Sequence, residues 1–393
     1  MSSPAGVIAV VPDRWADICM PRHQVVRRLA SHFPTVWVEP AAAWREHLLP
    51  SSGLFLEADR WTSPFPGLEV LSPGFRHPLF FRPRWLYRAT FRSRLEAARR
   101  RLVARGARRI VLYLWRDEFE DALDLVAHDV SCYHIDDEYS FSDVDLPNSP
   151  REIRVLERVD QVIVHSKALL EKKGGINPRT ALVPNGVDFQ SFAMPRDVFP
   201  DLAAVPKPRI GYVGVIKKQL DLALLTRLAQ ARPQYSFVLV GPVLNVSGKE
   251  RDIAALRELS NVHLLGEKPP DALPAYIQHL DVCLMCYEVN AYTRYIYPLK
   301  LHEYMATGRP VVSSHIDAVL AYQAQVYMAR TDPEWLHAID DSLGIAAQAP
   351  DRSRARQERA REHDWDSLVG QIAGLFHEAL ARVESEDRGR MPA

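Results

Sequence analysis

YPLKLHEYMATGRPVVSS, residues 297–314, reads as one helix followed by a buried strand. Pro298 suits the first helical position, and Gly308, free to take positive φ, suits the helix end. The apolar run Val311 to Ser314 then predicts a strand. Within the helix Lys300 and Glu303 are three apart and share a face, while Leu299, Leu301 and Met305 can pack elsewhere. That face lies near the helix N-terminus, where backbone N–H groups and the helix dipole favour an anion. Lys300 adds a full positive charge there, which suits a diphosphate. Glu303, one turn on, can accept hydrogen bonds from two neighbouring hydroxyls such as those of a ribose. The plainer alternative is an exposed i, i+3 ion pair on an ordinary helix.

The rest of the chain sets the frame for that element. At 393 residues two domains are the expectation, each large enough to bury its own core. The composition is 47% hydrophobic and 25% charged, that of a globular protein. Lys and Arg number 49 and Asp and Glu 49, so no global field favours nucleic acid. No apolar run approaches the roughly 20 residues of a membrane-spanning helix, and the N-terminal MSSPAGVIAVVPDRW lacks a basic region before its apolar run. A cytoplasmic protein is expected, and four cysteines fit a reducing compartment. Cys283 and Cys286 have CxxC spacing, but without a second ligand pair they read as buried strand cysteines.

A βα rhythm runs along the whole chain. Val7 to Val11, Thr35 to Glu39, Leu68 to Leu71, IVLYLW (110–115), CYHI (132–135) and QVIVHS (161–166) predict strands. Gln24 to Ser31, Asp117 to Ala127 and Pro150 to Val159 predict helices. Met194 to Pro208, proline-rich and polar, reads as a linker, and the pattern restarts with Ile210 to Gly214. The expected organisation is α/β: a first Rossmann-like domain over 1–193, a linker over 194–208, a second such domain over 209–362, and a C-terminal helix and tail over 363–393. Ligands of such sheets bind beyond the C-terminal strand ends.

Several loops at those ends carry polar side chains. After the first strand stand Trp15, Arg22 and His23. The loop after CYHI opens with Asp136 and Asp137, and adjacent carboxylates there can supply a general base, because repulsion and burial raise one pKa. Gly214 ends a strand and is followed by Lys217 and Lys218, an arrangement that lets backbone and cations approach phosphate. Glu267 opens a loop after another strand, and Arg294 and Tyr295 lie just before the key helix. Asp143 and Asp145 form a DxD, the pattern that holds a divalent metal in the GT-A glycosyltransferase fold, though a surface loop is the expected reading. Between Arg76 and Arg109 there are 12 arginines and one acid, Glu96, interleaved with aromatics. Such a helix suits an anionic membrane surface; a solvated helix face is the alternative.

Pro-x-Lys-x-x-Glu at a helix start, Ala306, Gly308 and the apolar strand together resemble the donor-nucleotide element of GT-B glycosyltransferases. The likeness is to the family-four-like enzymes and the bacterial cell-surface polysaccharide enzymes of teichuronic-acid type. VPNGVD (183–188), Trp15 with Arg22 and the late Trp365 fit the same pattern. The resemblance implies two Rossmann-like domains facing a cleft and transfer of a sugar from a nucleotide diphosphate donor to a hydroxyl, in polysaccharide or glycolipid synthesis.

By the same resemblance Lys300, Glu303, Gly214, Lys217, Lys218, Arg294, Tyr295, Leu299 and Glu267 would face the donor, and Trp15, Arg22 and His23 the acceptor. Asp137 with Asp136 would act on the acceptor proton. No metal or other cofactor would be needed, and the partners would be the donor, a glycan or lipid-linked acceptor and, peripherally, an anionic membrane met by residues 76–109. Tyr295 stands where family-four enzymes often carry a first glutamate, eight residues before the second, so the sugar contacts and the anomeric outcome stay open. The competing classes are a non-catalytic nucleotide-sugar-binding subunit and a sugar-nucleotide epimerase of the same architecture.

Overall fold

The computed structural model describes residues 4–18, 20–48, 57–142 and 144–390. They divide into two compact units. The first takes the chain up to Asp137, Pro147–Pro184 and the segment from Asp366 on; the second takes Glu138–Leu146 and Asn185–Trp365.

Strands of the first unit are β1 (Ala5–Val10), β2 (Thr35–Val38), β3 (Arg60–Phe65), β4 (Leu68–Ser72), β5 (Arg109–Leu114), β6 (Val130–Ile135), β7 (Gln161–Val164) and β8 (Thr180–Leu182). They form one sheet in the order β3-β4-β2-β1-β5-β6-β7-β8. It is parallel except at the β3–β4 edge, which is antiparallel. The inner strands are buried along their length because helices cover both faces, so they read as continuous apolar runs. β3 is not expected from the sequence. Its RWTSPF is exposed almost throughout and carries a proline, a composition tolerated at a sheet edge.

In the second unit β9 (Arg209–Val213), β10 (Ser236–Val240), β11 (Val262–Gly266), β12 (Val282–Met285), β13 (Val311–Ser314) and β14 (Tyr327–Ala329) form a parallel sheet. Its order is β11-β10-β9-β12-β13-β14. Strand order reverses between β9 and β12 here, and between β1 and β5 in the first sheet. In open α/β sheets those reversals are where ligands sit, since the loops diverge and leave a crevice. Cys283 and Cys286 are buried free thiols at β12, and burial pushes both up to about 12.

Local departures from the expected elements have local causes. The helix expected over Asp117 to Ala127 is a 3-10 turn at Asp117–Phe119 and a short helix at Ala122–Leu125. Between Met194 and Pro208 lies a short helix, Pro200–Ala203; the buried Arg209 donates from Nη2 to Ala203 O at its end, 3.2 Å, and from Nε to Val205 O just beyond it, 2.9 Å. The last helix runs from Trp365 to Arg390 and packs on the first unit, with Phe376 6.1 Å from Phe33 and 5.1 Å from Tyr113 between ring centroids. Arg109 of β5 reaches the same helix at Asp387, 2.7 Å away.

The arginine-rich stretch forms one helix, Arg84–Ala104, whose buried face is Phe91, Arg94, Leu95, Ala98 and Leu102. Six of the 12 arginines between 76 and 109 meet acids within the unit. Arg84 and Arg88 meet Asp121, Arg101 and Arg105 meet Glu69, Arg99 meets Glu96, and Arg109 meets Asp129. Phe81 and Trp85 stand 76% and 69% exposed near the start of this helix.

Candidate donor and acceptor sites

The key helix spans Leu299–Ala306, with Pro298 at the N-cap rather than the first helical position. Leu301, His302, Tyr304, Met305 and Ala306 are buried, which leaves Lys300 and Glu303 on the half-buried side. Three hydrogen bonds fix the helix in place. Val213 N, at the end of β9, donates to Tyr304 Oη at 2.9 Å. At the other end Arg356 Nε donates to Gly308 O at 2.9 Å and Gln357 Nε2 to Ala306 O at 3.2 Å, so a cation and an amide satisfy the terminal carbonyls.

These contacts set Lys300 directly over the end of β9. A methyl on Gly214 would lie 2.0 Å from Lys300 Nζ and 2.2 Å from its Cε, and Gly214 has φ 142°, so both the close approach and the backbone require glycine. Gly241, at the end of β10 and also at φ 142°, closes the floor: a methyl there would lie 2.1 Å from Gly214 O. Lys300 Nζ also stands 5.4 Å from the centre of the Tyr212 ring. Among the described residues neither the Lys300 ammonium nor the Glu303 carboxylate makes a hydrogen bond or an ion pair. Burial pushes the Lys300 ammonium down, with Lys217 adding repulsion and Glu303 opposing both. Burial likewise pushes the Glu303 carboxyl up, opposed by Lys300. Two charges without partners, half-buried at the reversal between β9 and β12, are an arrangement that a ligand with phosphate and hydroxyl groups completes.

The other expected donor residues are placed unequally. Lys217 is half-buried and acts electrostatically on Lys300; Lys218 is exposed. Leu299 is half-buried at the helix start. Glu267 is exposed after β11, and its neighbour Lys268 is paired with Asp201 at 2.9 Å. Arg294 lies 3.6 Å from Asp317. Tyr295 is buried, and its hydroxyl donates to Asp145 Oδ2 at 2.7 Å, which makes it a support for the 138–146 loop. Asp145 is thereby engaged by a tyrosine; Asp143 lies outside the described residues. Asn185 of VPNGVD donates to Tyr297 O at 2.9 Å, a positional contact to the segment that enters the key helix.

In the first unit, the loop after β1 and the loop after β6 meet. Arg22, buried, holds Asp13 at 2.6 Å and Asp136 at 3.2 Å. Asp136 is thus an ion-pair partner of Arg22, its side chain 2% exposed. Asp137 follows it, half-buried. The carboxyl that is raised in this loop pair is Asp13. Burial pushes it up, Arg22 and His23 oppose, and its side chain is 26% exposed. His23 is enclosed between Trp15 and Trp37, accepts from Met20 N at 3.1 Å and touches Arg14 O at 3.3 Å. Both Arg22 and His23 therefore help shape this loop. Trp15, half-buried, keeps an open side.

Sequence reasoning passed over Asp13, Tyr304 and Arg356. Asp13 was the most accessible of these, an acid three residues beyond the central strand in VVPDRW. Tyr304 and Arg356 carry no sequence signal, because their partners are backbone groups brought in by folding.

Comparison with known proteins bears on this geometry. Residues 207–343 match the family described as Glycosyl transferases group 1. A protein of Bacillus subtilis (strain 168) named as a teichuronic acid biosynthesis glycosyltransferase, TuaH, is 27% identical over 234 residues, which is 56% of this chain and 57% of that protein. The match thus spans little more than half of that relative. Sucrose-phosphate synthase from Thermosynechococcus elongatus superposes with TM-score 0.72 at 17% identity, over 96% of this chain and 100% of that one. Anabaena Alr3699/HepE, solved in complex with UDP and glucose, does so with TM-score 0.66 at 14% identity, over 95% and 99%. Identities this low establish the fold: two α/β parallel-sheet domains of the GT-B kind, as the sequence implied.

Proposed function

Because residues 207–343 form a Glycosyl transferases group 1 domain, we propose that the chain transfers a sugar from a nucleotide diphosphate sugar to a hydroxyl acceptor in polysaccharide or glycolipid synthesis. The observation that carries this reading is the partnerless Lys300 ammonium set on Gly214, with Glu303 one turn along the same helix. The donor diphosphate lies against Lys300 and the first-turn amides, and the ribose hydroxyls donate to Glu303. As the bond from the anomeric carbon to the phosphate oxygen breaks, negative charge grows on the diphosphate. A preplaced, partly desolvated ammonium stabilises that charge without reorganisation, so the role falls to Lys300 and requires no metal.

A panel of UDP, GDP, ADP and TDP, each with and without chelator, tests the donor site by thermal shift. A ligand at a hundred times its Kd stabilises by about 2.7 kcal/mol. The expected result is stabilisation by one diphosphate that survives chelator and is lost in Glu303→Ala. A panel without any shift, or with shifts that need metal, would sink the assignment.

The acceptor proton goes to a carboxylate of the first unit. Asp13 combines a raised pKa with an exposed edge, and Asp137 stands on the neighbouring loop. General-base help is worth about 10²–10⁴ in rate. Asp13→Asn is therefore expected to lower kcat by at least about a hundredfold with little change in donor binding, whereas Asp136→Asn acts through the position of Arg22. If Asp13→Asn keeps more than a tenth of the wild-type kcat while Asp137→Asn does not, the base is Asp137.

A further inference from the structure

The first unit contains a cavity of about 630 Å³ at the reversal between β1 and β5, within the usual size of a small-molecule site. Its wall includes Phe80, Phe81, Tyr87, Phe91, Phe119 and Arg94. The other arginines that line it are neutralised: Arg84 by Asp121, Arg151 by Asp117 and Arg154 by Glu120. Of the lining acids, Glu39 accepts from Trp15 N at 2.8 Å and Glu118 is exposed.

Arg94 differs from all of these. It occupies a core position of its helix, on the stripe of Phe91, Leu95, Ala98 and Leu102, and is 5% exposed. Its guanidinium makes no hydrogen bond or ion pair among the described residues, and its Nε is buried without a partner. Its guanidinium stands 4.9 Å from the centroid of the Phe91 ring, and the Tyr87 hydroxyl acts on it electrostatically. Asp59 attracts it from a distance but is itself engaged by His77 at 2.6 Å and by Gly74 N at 2.7 Å. Burying a cation without a counter-charge is costly, and an apolar residue would fill the stripe at lower cost. Such a residue at the wall of an open cavity marks the place where an anion is brought in.

We propose that this cavity binds an anionic amphiphile, with a phosphate or carboxylate forked by Arg94 and an adjoining apolar chain against Phe80, Phe81, Tyr87 and Phe91. A planar guanidinium offers two parallel N–H groups to either oxyanion. Phe81, 76% exposed on the cavity wall, continues the apolar surface outward. That this ligand is the acceptor, an anionic lipid-linked glycan, rests on the glycosyl-transfer reading; the binding itself does not.

The test is isothermal titration of the full chain with decyl phosphate, decanoate, neutral decyl maltoside and inorganic phosphate, each below micelle formation. Wild type, Arg94→Met, Phe81→Ser and Lys300→Met are compared. Decyl phosphate or decanoate is expected to bind wild type at least tenfold more tightly than decyl maltoside or inorganic phosphate, and the tighter of the two identifies the oxyanion. Arg94→Met loses that preference yet melts no lower than wild type, and Phe81→Ser, a change at an exposed side chain, weakens only the alkyl ligands. Lys300→Met leaves these affinities unchanged, so a failure of the donor site is distinguished from a failure here. Equal binding of the neutral and anionic amphiphiles would overturn the proposal, as would tight binding of inorganic phosphate alone. An Arg94→Met chain that melts lower and keeps its affinities would show Arg94 to be a packing residue.

Discussion

Lys300→Met is expected to lower kcat for sugar transfer by about 10²–10³, the loss typical of removing one preorganised group that meets developing charge, or about 2.7–4 kcal/mol. Methionine keeps the length and the apolar stem, so what is lost is the ammonium over Gly214. Among the described residues there is no hydrogen bond or ion pair to lose there, and the Lys300 charge is already disfavoured by burial. Its melting temperature should therefore hold, or rise slightly, while stabilisation by the donor diphosphate shrinks. Steady-state kinetics with the donor base named by the nucleotide panel, run beside thermal melts, separates the two effects. A variant that melts well below wild type and yet turns over normally would mean that Lys300 is structural.

Lys173→Met is expected to destabilise the first unit by about 3–5 kcal/mol, for the opposite reason. Lys173 is 0% exposed, and its Nζ donates to Glu152 Oε1 at 2.6 Å; Tyr133 Oη donates to the same oxygen at 3.3 Å. Removing the ammonium leaves a buried carboxylate with its compensation gone, and a buried charge without a partner costs more than the pair contributed. Urea unfolding measures the loss. The double variant Lys173→Met with Glu152→Gln should recover most of it, since the neutral amide no longer needs a counter-charge. A single-variant loss below about 1 kcal/mol would mean that water or another cation reaches Glu152.

The two lysines show what is legible in a sequence. Lys300 could be singled out because its signal is local: a proline, a lysine, a glutamate and a glycine at helical spacing before an apolar strand. The structure keeps that helix nearly as expected, over Leu299–Ala306. Lys173 lies in KALLEKKGG, where nothing separates it from Lys172. Its burial depends on where its helix lands against Glu152, 21 residues earlier.

Arginine pairing is illegible for the same reason. Twelve arginines between 76 and 109 look like one cationic surface. Their partners Asp121 and Glu69 stand 33 and 32 residues away in the chain, and only folding reveals the pairing. The hold of Arg22 on Asp136, 114 residues away in the chain, is likewise invisible in the sequence.

By itself the sequence determined the two parallel α/β sheets, the glycine at the end of β9 and the paired Lys300 and Glu303. Strand and helix periods, turn chemistry and the spacing of two side chains on one helix are short-range properties that a few neighbouring residues set. Only the tertiary structure decided which charges are left without partners. Among the described residues Lys300 and Arg94 stay unanswered while Arg22, Arg101 and Lys173 are paired, because a charge's partner depends on which distant segments packing brings within a few ångströms.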